Sequence, residues 1–132
     1  MRLSYEASDN SLRLTPEGNQ PPASERIGLS GYVDMGAGGR LVGLEVIDRG
    51  TVDLGQALAR WRDDEVDGEY VSVSEDSAYI ELSRLENTSL TEQTRTAEAN
   101  FGLDLDSDGQ LVAISIPRRG AGYEITYPSG NQ

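Results

Sequence analysis

The sequence predicts an α+β protein that is mainly antiparallel β, built as two β-meander repeats packed about a pseudo-twofold axis as an internal dimer, with one helix after the first repeat. Three observations carry this expectation. Val33-Asp34-Met35, Gly39 and Leu41-Val42-Gly43-Leu44-Glu45-Val46 recur about 70 residues later as Leu103-Asp104-Leu105, Gly109 and Leu111-Val112-Ala113-Ile114-Ser115-Ile116. A second pair of segments precedes each copy, Leu3-Ser4-Tyr5 with Leu12-Arg13-Leu14 and Val71-Ser72-Val73 with Ile80-Glu81-Leu82. In all of them apolar residues alternate with polar or small ones, the period of a strand with one buried face.

The first repeat spans residues 1–62, a linker follows at 63–69, and the second repeat spans 70–132. Each is near the lower size limit for a self-sufficient core, so the two are expected to share one. Cutting between them should unfold both.

The strands of the first copy are placed on Leu3 and Tyr5, Leu12 and Leu14, Val33 and Met35, and Val42, Leu44 and Val46. The polar segments Thr15 to Ser24 and Arg84 to Ala99 read as loops with an edge strand inside. Between the copies, Asp53 can cap a helix with Gln56 three residues on, and Leu54, Ala57, Leu58 and Trp61 form an i, i+3, i+4, i+7 stripe. Arg60 and Arg62 suit its C-terminal end. Trp61, the only tryptophan, is expected in the core or at the seam between copies. In the second copy the strands fall on Val71 and Val73, Ile80 and Leu82, Leu103 and Leu105, and Val112, Ile114 and Ile116. Arg118 and Arg119 close the last of these, Tyr123 to Tyr127 can add one more strand, and Pro128 to Gln132 should fray.

Composition narrows the function classes. A net charge of −12 opposes the phosphate backbone, so direct nucleic-acid binding is not expected, whereas a basic protein partner or cations are favoured. All 11 basic residues are arginine, a bias that suits a GC-rich genome or a salt-adapted cell. Without cysteine there are no disulfides, thiol nucleophiles or cysteine metal sites. Without His, Cys or Lys the usual acid–base and nucleophilic constellations are missing, and the chain reads as a non-enzyme. No apolar run is long enough to cross a bilayer, and the protein is expected to be soluble and cytoplasmic, as a monomer or homodimer.

The one metal-like motif is Asp104, Asp106 and Asp108 before Gly109, the D-x-D-x-D-G opening of a calcium loop. An EF-hand needs a bidentate glutamate where Ser115 stands, and helices where these flanks read as strands. The first copy has Asp34, Gly36 and Gly38 in the matching places, so the hairpin repeats and the ligands do not. The motif is therefore read first as a turn with Gly109 at positive φ, with a weak Ca2+ site on Asp104, Asp106 and Asp108 as the secondary reading. Gly36, Gly38 and Gly39 likewise read as a turn, because a phosphate cradle needs a helix to follow and a strand does.

Each copy also resembles the small bacterial and archaeal domain of unknown function numbered 2283 (DUF2283), whose pattern ends in D-x-D-x-x-G-x-L-V-G-I-E-I. The resemblance rests on Tyr5, Asp9, Leu12, Leu14, Asp34 and the run Gly39 to Asp48 in the first copy. In the second it rests on Tyr79, Ile80, Leu82, Asp104, Asp106 and the run Asp108 to Ile114, with Ile116. It implies a tandem form of that domain. Because some relatives lie beside a toxin-like gene, it also implies an antitoxin-like binding role without catalytic residues. The functional expectation is thus an acidic protein-interaction module for a basic partner. A divalent-cation-binding or salt-adapted structural protein is the second reading.

Overall fold

The structure, a computed structural model, describes residues 2–16, 18–48, 50, 52–63, 70–82 and 95–126. The chain is mostly antiparallel β. Strands β1 (Arg2–Glu6), β2 (Ser11–Thr15), β3 (Glu25–Met35) and β4 (Leu41–Ile47) precede two short helices, α1 (Leu54–Ala57) and α2 (Ala59–Asp63). After them come β5 (Tyr70–Val73), β6 (Ser77–Glu81), β7 (Arg95–Leu105), β8 (Leu111–Pro117) and the two-residue strands β9 (Arg119–Gly120) and β10 (Tyr123–Glu124).

The first eight strands form one curled sheet in the order β1-β2-β8-β7-β3-β4-β6-β5. This corrects the expected meanders: β2 pairs with β8, not with β3, and β6 pairs with β4, not with β7. The cause is that a strand has two edges. The tight turn after Met35 gives one edge of β3 to β4, and β7 takes the other along the whole length of both strands, from Glu25 opposite Leu105 to Met35 opposite Arg95. The connection from β2 to β3, which carries Pro21 and Pro22, is too long for a hairpin and lets the chain pass over two strands to reach its place. Replacing each strand by the one four later in the chain leaves the sheet order unchanged apart from direction.

The match extends to detail. A bulge lies between Asp34 and Met35 in the β3–β4 pair, and another between Asp104 and Leu105 in β7–β8. Gly36 N–H donates to the Arg40 carbonyl at 2.8 Å, as Asp106 N–H donates to that of Gln110 at 2.9 Å. Gly39 and Gly109 both hold φ near +80° (83° and 79°), which glycine adopts without strain.

The period of two sends one side of every strand into a single core. Leu12, Leu14, Val33, Leu44, Ile80, Phe101, Leu103, Ile114 and Ile116 are all buried in it. Residues from before and after the two helices contribute to it. β3 and β7 are longer than their apolar residues suggested, and β7 claims Arg95 to Ala99 from the second expected loop. Residues 18–24 of the first loop hold no strand, and 83–94 of the second lie outside the described residues.

The helix is broken. Asp53 caps it as expected, its carboxylate accepting from Gln56 N–H at 3.2 Å, but Leu58 leaves helical geometry and divides α1 from α2. A segment this short is held by its packing, and the break still lets Leu54, Ala57, Leu58 and Trp61 all be buried. Trp61 is fully buried and its indole donates to the Leu111 carbonyl at 2.9 Å, so α2 seals the end of the sheet at the β7–β8 turn. At the opposite end the C-terminal segment does the equivalent work. Ile125 is fully buried, and Thr126 bonds the Gly39 carbonyl through its N–H at 2.8 Å and that of Gly38 through its hydroxyl. The expected final strand is this hairpin of β9 and β10 with a bridge from Thr126 to Arg40. Residues 64–69 of the expected linker and the terminus from 127 lie outside the described residues. No helix among the described residues is long and apolar enough to cross a membrane.

Candidate functional site

The three aspartates of the calcium-like motif have separate surroundings. Asp104 lies on the outer face of the sheet, where it accepts from Arg13 Nη1 at 2.8 Å, Arg26 Nε at 2.7 Å and Arg26 Nη2 at 3.2 Å. Burial alone would raise its pKa, but these hydrogen bonds outweigh that and hold it below the usual carboxylate range. The same contact raises Arg26 above its ordinary value. Arg26 also donates to Ser115 Oγ at 3.1 Å, so the residue in place of the expected glutamate belongs to this network.

Asp106 instead organises the turn. One carboxylate oxygen accepts the N–H groups of Asp108 at 2.9 Å and Gln110 at 3.0 Å, while the other takes Arg60 from α2. The bond from Arg60 and then the Gln110 amide lower its pKa. Asp108 is exposed. Among the described residues no group of three His, Cys, Asp or Glu is placed to hold a metal ion. The turn expected at Asp106 to Gly109 is present, closed by Gly109 N–H to the Asp106 carbonyl at 3.0 Å. Gly36, Gly38 and Gly39 form the turn of the other hairpin, and β4 follows it.

Arg118 and Arg119 are both engaged by a carboxylate. Both bond Glu124, at 3.3 and 3.0 Å, and Arg118 also reaches Asn10 Oδ1 at 2.9 Å and lies 6.0 Å from the centre of the Tyr5 ring. Arg118 ties the C-terminal hairpin to the β1–β2 turn.

A different constellation occupies the outer face between the two ends. Pairing places Glu98 of β7 opposite Tyr32 of β3, Tyr32 opposite Glu45 of β4, and Glu45 opposite Tyr79 of β6. Directly opposed side chains stand about 5 Å apart at Cβ, so these four form an alternating acid–tyrosine ladder. One row further, Tyr79 passes over Gly43 and donates its hydroxyl to Asp34 at 2.9 Å, and Thr96 donates to the same carboxylate at 2.7 Å. Burial, and then its bond to Asp34, push the Tyr79 phenol well above its ordinary pKa. A groove of about 570 Å3 opens beside the ladder, with Ser30, Tyr32, Glu98, Asn100, Arg119 and Tyr123 among its lining residues; Arg119 is held there by Glu124 at 3.0 Å.

Ion pairs among the described residues join Arg13 and Arg26 to Asp104, Arg60 to Asp106, and Arg118 and Arg119 to Glu124. Glu45 and Glu98 take part in none of them. The register of the other half supplies an internal comparison. The positions matching Glu98, Tyr32, Glu45 and Tyr79 are Gly28, Gly102, Ser115 and Arg13, a row with neither an acid nor an aromatic. The ladder is therefore particular to one side of the face.

Sequence reading gave none of the ladder residues a role in a site, although Glu45 and Tyr79 are among those that carry the family resemblance. The outward phase of Tyr32 and Glu45 was available from strand alternation. What brings Glu98 and Tyr79 beside them is pairing between distant segments, which local periodicity does not encode. No protein-family model, curated protein or solved structure matches this chain, so the resemblance to DUF2283 rests on the residues quoted for it alone.

Proposed function

We propose that this protein is a non-catalytic interaction module that binds a basic protein partner through the outer face of its sheet. The observation that carries this reading is the acid–tyrosine ladder, in which Glu45 and Glu98 stand on either side of Tyr32 without an ion pair among the described residues. Tyrosine offers a broad amphipathic contact and carboxylates steer a cationic surface toward it, a combination suited to protein recognition. The net charge of −12 extends the same attraction over the whole molecule. A small basic protein of the kind that an antitoxin masks is the class of partner that fits.

The architecture has a matching finer reading, two copies of one unit fused as an internal dimer. The palindromic strand order and the paired bulges support it. On this reading the side of the face around Asp104 kept the structural arginine network, and the side around Asp34 acquired the ladder.

The test is a pull-down from native lysate at physiological and high salt, using the intact chain and a Glu45→Gln/Glu98→Gln variant. The expected result is a basic protein that the intact chain retains only at the lower salt and that the variant loses. Retention of nothing at either salt, or equal retention by both chains, would count against the reading.

A further inference from the structure

The two halves of the outer face treat guanidinium groups differently. On the side of the face around Asp104 the side chain of Arg26 lies flat along the sheet over Gly102: a methyl group added there would stand 3.4 Å from its Cδ and 3.6 Å from its Cζ. From that position the guanidinium binds Asp104 and Ser115. On the side around Asp34 the residue at the place of Arg26 is Thr96, and the residue at the place of Gly102 is Tyr32. The chain therefore supplies an arginine to one half of the face and leaves the matching row of the other half with two carboxylates and a tyrosine ring.

We propose that this row is completed in trans, by an arginine side chain of the partner that lies over Tyr32 with its guanidinium between Glu45 and Glu98. The inference rests on the outer face being a docking surface and deepens it by naming the group that docks. The ring offers its negative face to a cation, and the directly opposed carboxylates stand within reach of the same group on either side. Guanidinium is favoured over ammonium because it is planar, stacks on an aromatic face and can bond two carboxylates through separate edges, whereas ammonium is a compact, strongly hydrated point charge. The adjoining groove gives the rest of the partner's segment a place beside the ladder.

The test is isothermal titration at low salt with two capped peptides, one alternating arginine with glycine and the other alternating lysine with glycine. Titrations use the intact chain, Tyr32→Ala, Tyr32→Phe and Glu45→Gln/Glu98→Gln. A Glu75→Gln/Asp108→Asn variant removes the same charge from exposed sites away from the ladder. Melting curves establish that each variant is folded. The arginine peptide is expected to bind the intact chain more tightly than the lysine peptide. Tyr32→Ala and the ladder double variant should each weaken it about tenfold, while Tyr32→Phe and the remote double variant should change it by less than about twofold. Equal weakening in the ladder and remote variants would mean attraction by overall charge, which overturns the arginine site and leaves the interaction module standing. Equal affinity for the two peptides would overturn the choice of guanidinium. Absence of binding by either peptide to the intact chain would overturn the site together with the reading it rests on.

Discussion

Replacing Asp104 by asparagine should destabilise the fold far more than the same change at Asp34, although the two occupy matching positions in the two halves. Asp104 accepts three hydrogen bonds from two guanidinium groups. Taken at about 1.5 to 3 kcal/mol each, bonds to charged groups would set an upper bound near 9 kcal/mol. The side chains of Arg13 and Arg26 are 33% and 51% exposed, however, so water recovers much of that when the carboxylate is lost. The amide oxygen of asparagine also keeps one of the bonds. The expected loss is therefore about 2 kcal/mol, or about 7 °C in melting temperature for a chain of this size. Among the described residues Asp34 accepts only from the neutral hydroxyls of Tyr79 and Thr96, so Asp34→Asn should cost about 0.5 to 1 kcal/mol.

The pH dependence sets the sign of the effect. The folded-state pKa of Asp104 lies below its ordinary value, so the ionised group stabilises the fold above the unfolded value, near 3.9, and that contribution is lost as pH falls through the folded one. Urea unfolding at neutral pH and at about pH 3 measures this. The gap between wild type and Asp104→Asn should be full at neutral pH and should narrow in acid. Equal losses at Asp34 and Asp104, or a gap independent of pH, would refute the assignment of stability to the arginine–aspartate network.

Other expectations follow from packing and titration. Trp61→Phe removes the bond to the Leu111 carbonyl and part of the ring volume and should cost about 2 kcal/mol, with Trp61→Ala at about 3 to 5, read from urea unfolding. A side chain at Gly31 would run into the Glu45 carbonyl, so Gly31→Ala should destabilise by about 3 kcal/mol or more. Gly28→Ala, where the nearest atom is the Phe101 carbonyl oxygen at 3.9 Å, should stay within about 0.5 kcal/mol. Because the Tyr79 phenol is raised in the fold, its protonated form stabilises the native state below the unfolded value, near 10. That contribution is lost as pH rises beyond it, so alkaline unfolding should begin earlier for wild type than the Tyr79→Phe variant would show.

The residues whose roles could be read in advance were those governed by their immediate neighbours. Leu12, Leu44 and Ile114 declare their inward phase through alternation, Asp53 declares a cap, and Gly109 declares a turn because few other residues hold its φ. Trp61 declares burial through the stripe it shares with Leu54, Ala57 and Leu58. Strand partners were hidden, because nothing near Leu14 says that Ile114 lies opposite it or that Ala97 lies opposite Val33. The same limit shifted the match between halves. Leu12 and Leu14 face Ile116 and Ile114, and their counterparts facing Val46 and Leu44 are Ala78 and Ile80, not Ile80 and Leu82. Only after that shift do Arg13 and Tyr79 become equivalent, each reaching the aspartate of its own half of the face. The break at Leu58 was hidden for a related reason, since a short helix takes its geometry from the surface it packs on.

The ladder exists only where the halves meet, with Tyr32 and Glu45 from the first and Glu98 and Tyr79 from the second. Its existence and the fold's depend on the same interleaved strand order. The most direct measurement is to express residues 1–63 and 64–132 separately, record far-UV circular dichroism and mass in solution for each, and then mix them in equal amounts. The interleaved sheet predicts that neither half folds as a monomer and that mixing yields a one-to-one complex with a cooperative melt. A half that melts cooperatively as a monomer would contradict it.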